Sequence, residues 1–165
     1  MSDGSSDLTF REAAPEDAPA VFGLVRDGGV LELNTQYAYV LLCDHFRATT
    51  VVCEHEGEPV GVVAAYRPPT HPDAVFVWQI GVSATMRGRG VARSILNALV
   101  ERPGCDGVCY LEATVTPSNE ASRRLFESFA RHRDAAFEWA PYYDQSHLGD
   151  HEPEELIRIG PFERR

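Results

Sequence analysis

The chain has 165 residues, a formal net charge of −10 at pH 7 and 44% hydrophobic residues. This length suits one folded domain with one core, and the composition is that of an ordinary globular protein. The acidic balance argues against nucleic acid as a partner, because a phosphate backbone needs a basic surface; it would suit a cationic small substrate.

Cysteine spacing and hydropathy further narrow the class of protein. The four cysteines form no CxxC pair and have no histidine at zinc spacing, which favours reduced thiols in a cytoplasmic protein and predicts no metal. No apolar run approaches the roughly 18 residues that a membrane span requires, so no membrane association is expected. The first residues, MSDGSSD, lack the order of a signal peptide, and we expect a disordered tail at 1–7 before a single domain over 8–165.

The first half of the domain predicts strands and helices in alternation. Residues 8–11 form a short strand, and residues 14–29 form a helix that opens on proline and acids and ends at glycines. Residues 30–46 are less regular, with apolar residues at helical spacing in their second part. Strands are expected at 48–54 and 60–66, joined by a tight hairpin turn.

The middle of the chain predicts a strand, a glycine turn and a helix. A proline-rich loop at 67–72 precedes a β-branched and aromatic strand at 75–82. The basic turn Arg87-Gly88-Arg89-Gly90 then leads into a helix that begins near Val91, with an apolar stripe at spacings of three and four. A glycine turn before a helix leaves backbone N–H groups unpaired, and with the helix dipole they make an anion site suited to a pyrophosphate.

The last third repeats this order and then becomes irregular. A strand at 109–115 leads to a helix at 120–131, for which Asn119 is a good N-cap. Residues 137–139 are a possible strand, and residues 140–153 read as a polar surface loop. A final strand at 155–159 ends at Gly-Pro. Alternating strands and helices of this kind indicate an α/β or α+β fold with a mixed sheet.

Two common phosphate motifs are absent from the glycine turn. The chain has no lysine, which excludes GxxxxGK[ST], and the turn does not continue as GxGxxG. Arg87-x-x-Gly90-x-Ala92 instead matches [RQ]-x-x-G-x-[GA], and here the chain resembles the GNAT N-acetyltransferase family, in which this turn holds the pyrophosphate of acetyl-coenzyme A. The alternative is an ordinary strand–turn–helix connection with solvent-facing arginines.

A second segment supports the resemblance. Residues 119–126, NEASRRLF, look like the family's N-x-x-[AS]-x-x-L-[YF] segment. The resemblance implies a GNAT fold, with a central mixed, mostly antiparallel β-sheet flanked by helices on both faces, and acetyl-CoA as co-substrate. The implied coenzyme contacts are Ile80, Val82, Arg87, Gly88, Arg89, Gly90, Val91, Ala92, Asn119 and Ser122.

Longer segments are similar to one GNAT family, the L-2,4-diaminobutyrate acetyltransferases of ectoine synthesis. The matching segments are LELNTQYAYVLLCDHF (31–46), AAYRPP (64–69), VFVWQIGVS (75–83), LEATVTPSNEASRRLF (111–126) and EELIRIGPF (154–162). The resemblance implies an acyltransferase that moves an acetyl group directly, in a ternary complex, to the 4-amino group of L-2,4-diaminobutyrate. It also implies a cytoplasmic homodimer. Glu32 departs from the aspartate that is more usual there.

The resemblance also implies site residues for the amine. An amine attacks only when neutral, and a free alkyl ammonium has a pKa of about 10, so the site must bind a cation and remove a proton. The implied catalytic residues are Ile80, through its backbone N–H at the oxyanion, Glu32, Trp78 and Glu154. Further implied substrate contacts are Asn34, Thr35, Tyr37 and His151.

Each of these residues also has a simpler interpretation. Glu32 could be an exposed loop acid, and Glu154 a solvated member of a glutamate-rich run. Trp78 could pack in the core, and His151 could be an inert loop histidine, although histidines can relay protons near neutral pH.

Phe126 lies at the position where the resemblance implies the general acid for the leaving thiolate. At this position many GNAT enzymes have a tyrosine that protonates the leaving thiolate. Phenylalanine has no proton to donate. Water, the ammonium product, Tyr37 or Tyr39 would then serve as the general acid. Two other functions remain open: acetylation of another small diamine or amino acid, and a non-catalytic acetyl-CoA-binding module.

Overall fold

A computed structural model describes residues 7–28 and 33–165 of the chain. Within that part, seven strands form one sheet in the order β1-β2-β3-β4-β5-β7-β6. The strands are β1 (Leu8–Glu12), β2 (Thr50–His55), β3 (Glu58–Tyr66), β4 (Ala74–Val82), β5 (Tyr110–Val115), β6 (Phe137–Tyr143) and β7 (Glu154–Ile159). The helices are α1 (Ala18–Gly28), α2 (Gln36–Asp44), α3 (Val91–Glu101), α4 (Glu120–His132) and α5 (Gln145–Leu148).

The sheet is split where its two central strands run parallel. Among the described strands only β4 and β5 pair in parallel; all other neighbours are antiparallel. Their pairing covers three positions and ends at Phe76 opposite Glu112. β4 continues to Val82 beside β3 without β5 as a partner, so the two strands diverge and leave an opening between them. The predicted mixed, mostly antiparallel sheet is confirmed.

The larger core lies between the sheet and helices α3 and α4. The apolar stripe of α3 and Phe129 of α4 are fully buried there against Val75, Leu111 and Ile157 of the central strands. Cys53 and Cys105 belong to the same cluster, and burial raises the pKa of each thiol to about 11. All four cysteines are free, as the sequence predicts, and these two are held protonated by their surroundings.

The second core lies between helices α1 and α2 and strands β2 and β3. Val21 and Val25 of α1 and Tyr39 of α2 pack there on Val52 and Val62. Helices therefore cover both faces of the sheet, as predicted.

Beyond these two cores, aromatic side chains gather near the ends of β3, β4 and β6. Rings are in contact between Phe46 and Tyr66, between Tyr66 and Phe76, and between Tyr142 and Tyr143. We call this group, with Trp78, the aromatic face: Phe46, Tyr66, Phe76, Trp78, Tyr142 and Tyr143.

The segment after α4 corrects one prediction. Residues 140–153 were expected to be a loop, but β6 runs to Tyr143 and α5 follows directly. Pairing with β7 over the whole of β6 overrides the weak strand signal of its sequence, and Asp144 caps α5 by accepting a hydrogen bond of 2.9 Å from the Ser146 N–H. In the described sheet β6 is an edge strand, with Pro141 and a register shift between Pro141 and Tyr143.

Some predictions fall outside the described residues. Glu32 does, as does nearly all of the expected tail at 1–7. Within residues 7–28 and 33–165, no helix combines the length and the apolar character needed to cross a membrane. The same residues contain no group of three or more His, Cys, Asp or Glu that could hold a metal ion.

Candidate active site

The turn before α3 presents backbone donors. Gly88 and Gly90 both have φ of 74°, a left-handed conformation that favours glycine, and Gly90 is the N-cap of α3. The first N–H groups of a helix, here those of residues 91–93, have no partner within the helix, and Gly90 has no side chain to cap them. Together with the helix dipole, these donors favour an anion.

These donors line a groove between α3 and α4. Two clefts of about 310 and 320 Å³ share lining residues and form what we call the turn groove. Its lining includes Leu24, Val25, Ile80, Gly81, Val82, Met86, Arg87, Gly88, Gly90, Val91, Ala92, Arg93, Asn119, Ala121, Ser122, Arg124, Leu125 and Ser128. The groove brings together all the residues predicted to contact the coenzyme except Arg89.

Asn119 has two roles in this groove that are compatible. Its Oδ1 accepts a hydrogen bond of 3.2 Å from the Ser122 N–H, so the residue is the N-cap of α4. Both residues also line the groove. The cap therefore fixes the start of α4 beside the start of α3, and two helix N-termini face the same space.

A larger cavity opens where β4 and β5 diverge. It has a volume of about 840 Å³, and we call it the main cavity. Its lining is Asn34, Tyr66, Phe76, Val77, Trp78, Gln79, Ile80, Ala113, Thr114, Val115, Thr116, Ser118, Asn119, Ser122, Phe126, Tyr143, Leu148, His151, Glu152 and Glu154. Ile80, Asn119 and Ser122 line both the main cavity and the turn groove, so the two spaces meet at these residues.

The main cavity collects predicted amine-site residues from distant parts of the chain. Asn34, Trp78, His151 and Glu154 line it together with Ile80. Trp78 remains 40% exposed, so its ring is a cavity wall rather than part of the core.

Two other predicted contacts do not line this cavity. Thr35 is the N-cap of α2, where its hydroxyl accepts a hydrogen bond of 3.3 Å from the Ala38 N–H. Tyr37 is 71% exposed on α2. Their substrate roles, like that of Glu32, remain predictions.

The tyrosines in the cavity are not those that the sequence suggested. Tyr39 is fully buried, and its hydroxyl accepts a hydrogen bond of 3.3 Å from the Asn34 N–H. Tyr66 and Tyr143 line the cavity instead, and burial, with a further contribution from Tyr142, raises the pKa of both. Their hydroxyls therefore stay protonated near neutral pH and can donate hydrogen bonds.

Strand pairing accounts for the position of Tyr143. It pairs with Glu154 across β6 and β7, which sets its phenol beside that carboxylate. No motif marks either tyrosine, and only the pairing of the two last strands would have indicated Tyr143. Phe126, which is 3% exposed, gives the cavity a wall without a donor.

His151 has a defined tautomer. Its Nδ1 lies 2.7 Å from the Glu152 carbonyl oxygen, and a carbonyl can only accept, so Nδ1 carries a hydrogen. In the neutral imidazole Nε2 is then an acceptor. Among the described residues that line the main cavity, the charged groups are the carboxylates of Glu152 and Glu154, with no arginine, so the cavity favours a cation.

Comparison with known proteins agrees with this geometry. The model of the Acetyltransferase (GNAT) family matches residues 14–130. The chain is 43% identical over 164 residues to the L-2,4-diaminobutyric acid acetyltransferase of Marinococcus halophilus, covering 98% of this chain and 95% of that protein. It is 41% identical over 165 residues to the enzyme of the same name from Streptomyces coelicolor, covering 98% of this chain and 97% of that protein.

A solved structure is similar over nearly the whole chain. It is diaminobutyrate acetyltransferase EctA from Paenibacillus lautus in complex with its substrate L-2,4-diaminobutyric acid and coenzyme A. The TM-score is 0.89 at 39% sequence identity, and the alignment covers 96% of this chain and 98% of that one.

Proposed function

Because this chain belongs to the acetyltransferase (GNAT) family, among the L-2,4-diaminobutyric acid acetyltransferases, we propose that it acetylates the 4-amino group of L-2,4-diaminobutyrate in ectoine synthesis. It is an acyltransferase, and acetyl-CoA is its co-substrate. The observation that carries the proposal is the junction of two spaces: an anion-binding groove meets an acidic, aromatic cavity at Ile80, Asn119 and Ser122.

The turn groove fits the coenzyme. The N–H groups at Val91 and Ala92 are donors for a diphosphate, and Arg87 adds a positive charge beside them. Val82 lines the groove further from the turn, next to Ile80, and suits the pantetheine arm. Bound there, acetyl-CoA supplies the acetyl group as a thioester near the splayed part of β4.

The main cavity fits the amine. The Glu154 carboxylate accepts hydrogen bonds from an ammonium group of the substrate, while Trp78 forms part of the cavity wall. The amine must lose a proton before it attacks, because the pKa of its ammonium form is about 10. His151 Nε2, left as an acceptor by the Nδ1 hydrogen bond, takes part in removing that proton.

The negative charge that develops on the acetyl oxygen during the transfer needs a hydrogen-bond donor. The backbone N–H of Ile80, on the part of β4 that has no β5 partner, is the proposed donor, and a donor of this kind contributes about 2.7–4 kcal/mol. The leaving thiolate requires little help, since a thiol has a pKa of about 8.5. Phe126 at the cavity wall is compatible with that, although it cannot donate a proton.

The test is release of free coenzyme A thiol with diaminobutyrate, ornithine, lysine and putrescine assayed in parallel. We expect selective release with diaminobutyrate, and mass spectrometry of the product should place the acetyl group on the 4-amino nitrogen. Release only with another amine would assign a different substrate. Coenzyme binding without release from any amine would make the chain a non-catalytic binding module.

We also propose that the protein is a cytoplasmic homodimer and that residues 8–165 fold as one domain. The free, buried cysteines are compatible with a reducing compartment. Phe46 and Tyr142 of the aromatic face are both more than 40% exposed and do not line the main cavity, and this supports association through that part of the face. Light scattering should give twice the monomer mass, and Phe46→Glu should reduce it towards one monomer.

A further inference from the structure

One contact ties together two distant segments that line the main cavity. The carboxylate of Glu152 accepts a hydrogen bond of 3.1 Å from the Ser118 N–H and one of 2.6 Å from the Ser118 hydroxyl. The two residues lie 34 positions apart, Ser118 in the loop between β5 and α4 and Glu152 in the segment between α5 and β7. Both line the main cavity.

Each end of this contact is attached to residues of the site. Ser118 immediately precedes Asn119, whose side chain caps α4 beside the turn groove. Glu152 lies between His151, whose Nδ1 donates to the Glu152 carbonyl oxygen, and Glu154. The contact therefore fixes the segment that carries the proposed amine-site residues against the loop that begins the coenzyme-site helix.

The remaining hydrogen bonds described for this segment are local. His151 N–H donates to the Leu148 carbonyl at 3.3 Å, and the cap of α5 is made by its neighbour Asp144. Among the described residues, the bonds of Glu152 to Ser118 are the hydrogen bonds that tie the part of the chain from 144 to 153 to the opposite side of the cavity.

We propose that Glu152 is a positioning residue. Its two hydrogen bonds to Ser118, which we call the clasp, hold the segment 144–153 over the main cavity and so position His151 and Glu154 for binding the amine. The inference rests on the proposed function, because it assigns the amine to this cavity. Glu152 itself need not touch the substrate, since both of its carboxylate oxygens are engaged by Ser118.

A different role for Glu152 would be electrostatic, as a second carboxylate that attracts the cation. Variants on the two sides of the contact separate these roles. Glu152→Gln removes the charge and weakens the clasp, whereas Ser118→Ala removes the 2.6 Å bond and leaves the charge in place. Asp150→Asn is the matched control, because Asp150 lies exposed in the same segment, lines no part of the cavity and carries the same charge.

The experiment measures steady-state kinetics, coenzyme affinity and backbone hydrogen exchange for these variants and the double variant. We expect Glu152→Gln and Ser118→Ala each to raise KM for diaminobutyrate about 3- to 10-fold and to lower kcat, because His151 moves with the segment, while coenzyme Kd stays within about 2-fold of wild type. The double variant should resemble the single variants, because both remove one contact. Exchange should become faster over 144–153, and Asp150→Asn should change none of these quantities.

Three results would overturn the positioning role. An unchanged KM in Ser118→Ala with a raised KM in Glu152→Gln would make Glu152 an electrostatic residue. Effects that multiply in the double variant would mean that the two residues act separately. Equal loss of coenzyme affinity and amine KM would indicate general structural damage. If wild type acetylates another amine instead, the proposed substrate fails, but KM for that amine and the exchange over 144–153 still test the clasp.

Discussion

The turn groove and the main cavity are built in different ways. The backbone donors of the groove come from two short stretches, one around Gly90 and one around Asn119, with apolar side chains of α1 and β4 beside them. The main cavity takes side chains from many separate segments, among them Asn34, Trp78 and Glu154. Backbone donors placed by a turn and a helix start are fixed by local structure. Side chains gathered from distant segments depend on the whole sheet for their positions.

This difference in construction predicts that binding of the coenzyme and binding of the amine respond to different substitutions. Changes to backbone conformation at the turn should act on coenzyme affinity, and changes to single side chains in the cavity should act on the amine.

Replacing Glu154 should have the largest effect. Glu154→Gln removes the negative charge that is proposed to bind the ammonium group, and hydrogen bonds to charged groups contribute about 1.5–3 kcal/mol. We expect kcat/KM for diaminobutyrate to fall about 10- to 100-fold, with coenzyme Kd unchanged in a calorimetric titration. Glu138→Gln, an exposed change of the same charge on β6, is the control. Equal losses of amine and coenzyme binding in Glu154→Gln would contradict the separation.

Changing the backbone of the turn before α3 should weaken binding of the coenzyme. Gly90→Val places a β-branched residue at φ of 74°, where a left-handed conformation costs about 1–2 kcal/mol or more. Coenzyme Kd should rise about 5- to 30-fold, and KM for the amine at saturating coenzyme should stay the same.

A second glycine gives the matched control for that change. Gly57 has φ of 81° in the turn between β2 and β3, with open space around it and no contact with either part of the site. Gly57→Val should lower the melting temperature to a similar extent but leave coenzyme Kd unchanged. If Gly57→Val weakens coenzyme binding as much as Gly90→Val, the loss reflects stability and not the anion site.

Removing the indole N–H of Trp78 should have a smaller effect. Trp78→Phe keeps an aromatic wall but deletes one donor, worth about 0.5–1.5 kcal/mol, so KM for diaminobutyrate should rise about 2- to 10-fold. If the indole holds the substrate carboxylate, the rise should disappear with 1,3-diaminopropane, which lacks that carboxylate. A similar rise with both amines would instead assign Trp78 to the shape of the cavity.

Arg87 should have the smallest effect. Its side chain is exposed, and surface ion pairs contribute about 0.2–1 kcal/mol, so Arg87→Gln should raise coenzyme Kd no more than about 5-fold at low salt. The difference from wild type should vanish near 1 M salt, where the screening length is about 3 Å. A large, salt-independent loss of coenzyme affinity would mean that Arg87, and not the backbone N–H groups, contributes most of the binding free energy in the groove.

The same difference in construction explains what the sequence could predict. The strand, turn and helix around Gly90 follow from local rules, since β-branched residues, glycines and an apolar stripe all lie within one short stretch. Asn119 was predicted both as a cap and as a coenzyme contact; the structure shows the cap and has Asn119 in the lining of the turn groove, and the coenzyme contact stays a prediction.

The cavity was predictable only in part. Trp78, His151 and Glu154 came from resemblance, and Tyr66 and Tyr143 were missed because neither belongs to a motif. Tyr143 reaches the cavity only because β6 continues past Pro141 and pairs with β7, whereas the polar and proline-containing sequence indicated a loop. Long-range pairing of this kind cannot be read from local propensity.

The edge formed by β6 restricts how molecules can associate. Pro141 has no N–H to offer to another strand, and the register shift beside it twists the outer backbone away from a regular ladder. A second molecule therefore cannot readily extend the sheet from this side, and open-ended growth of a shared sheet into fibres is blocked there. In the proposed homodimer the two copies would therefore meet through side chains and not through a shared sheet, and a symmetric pair of that kind closes on itself.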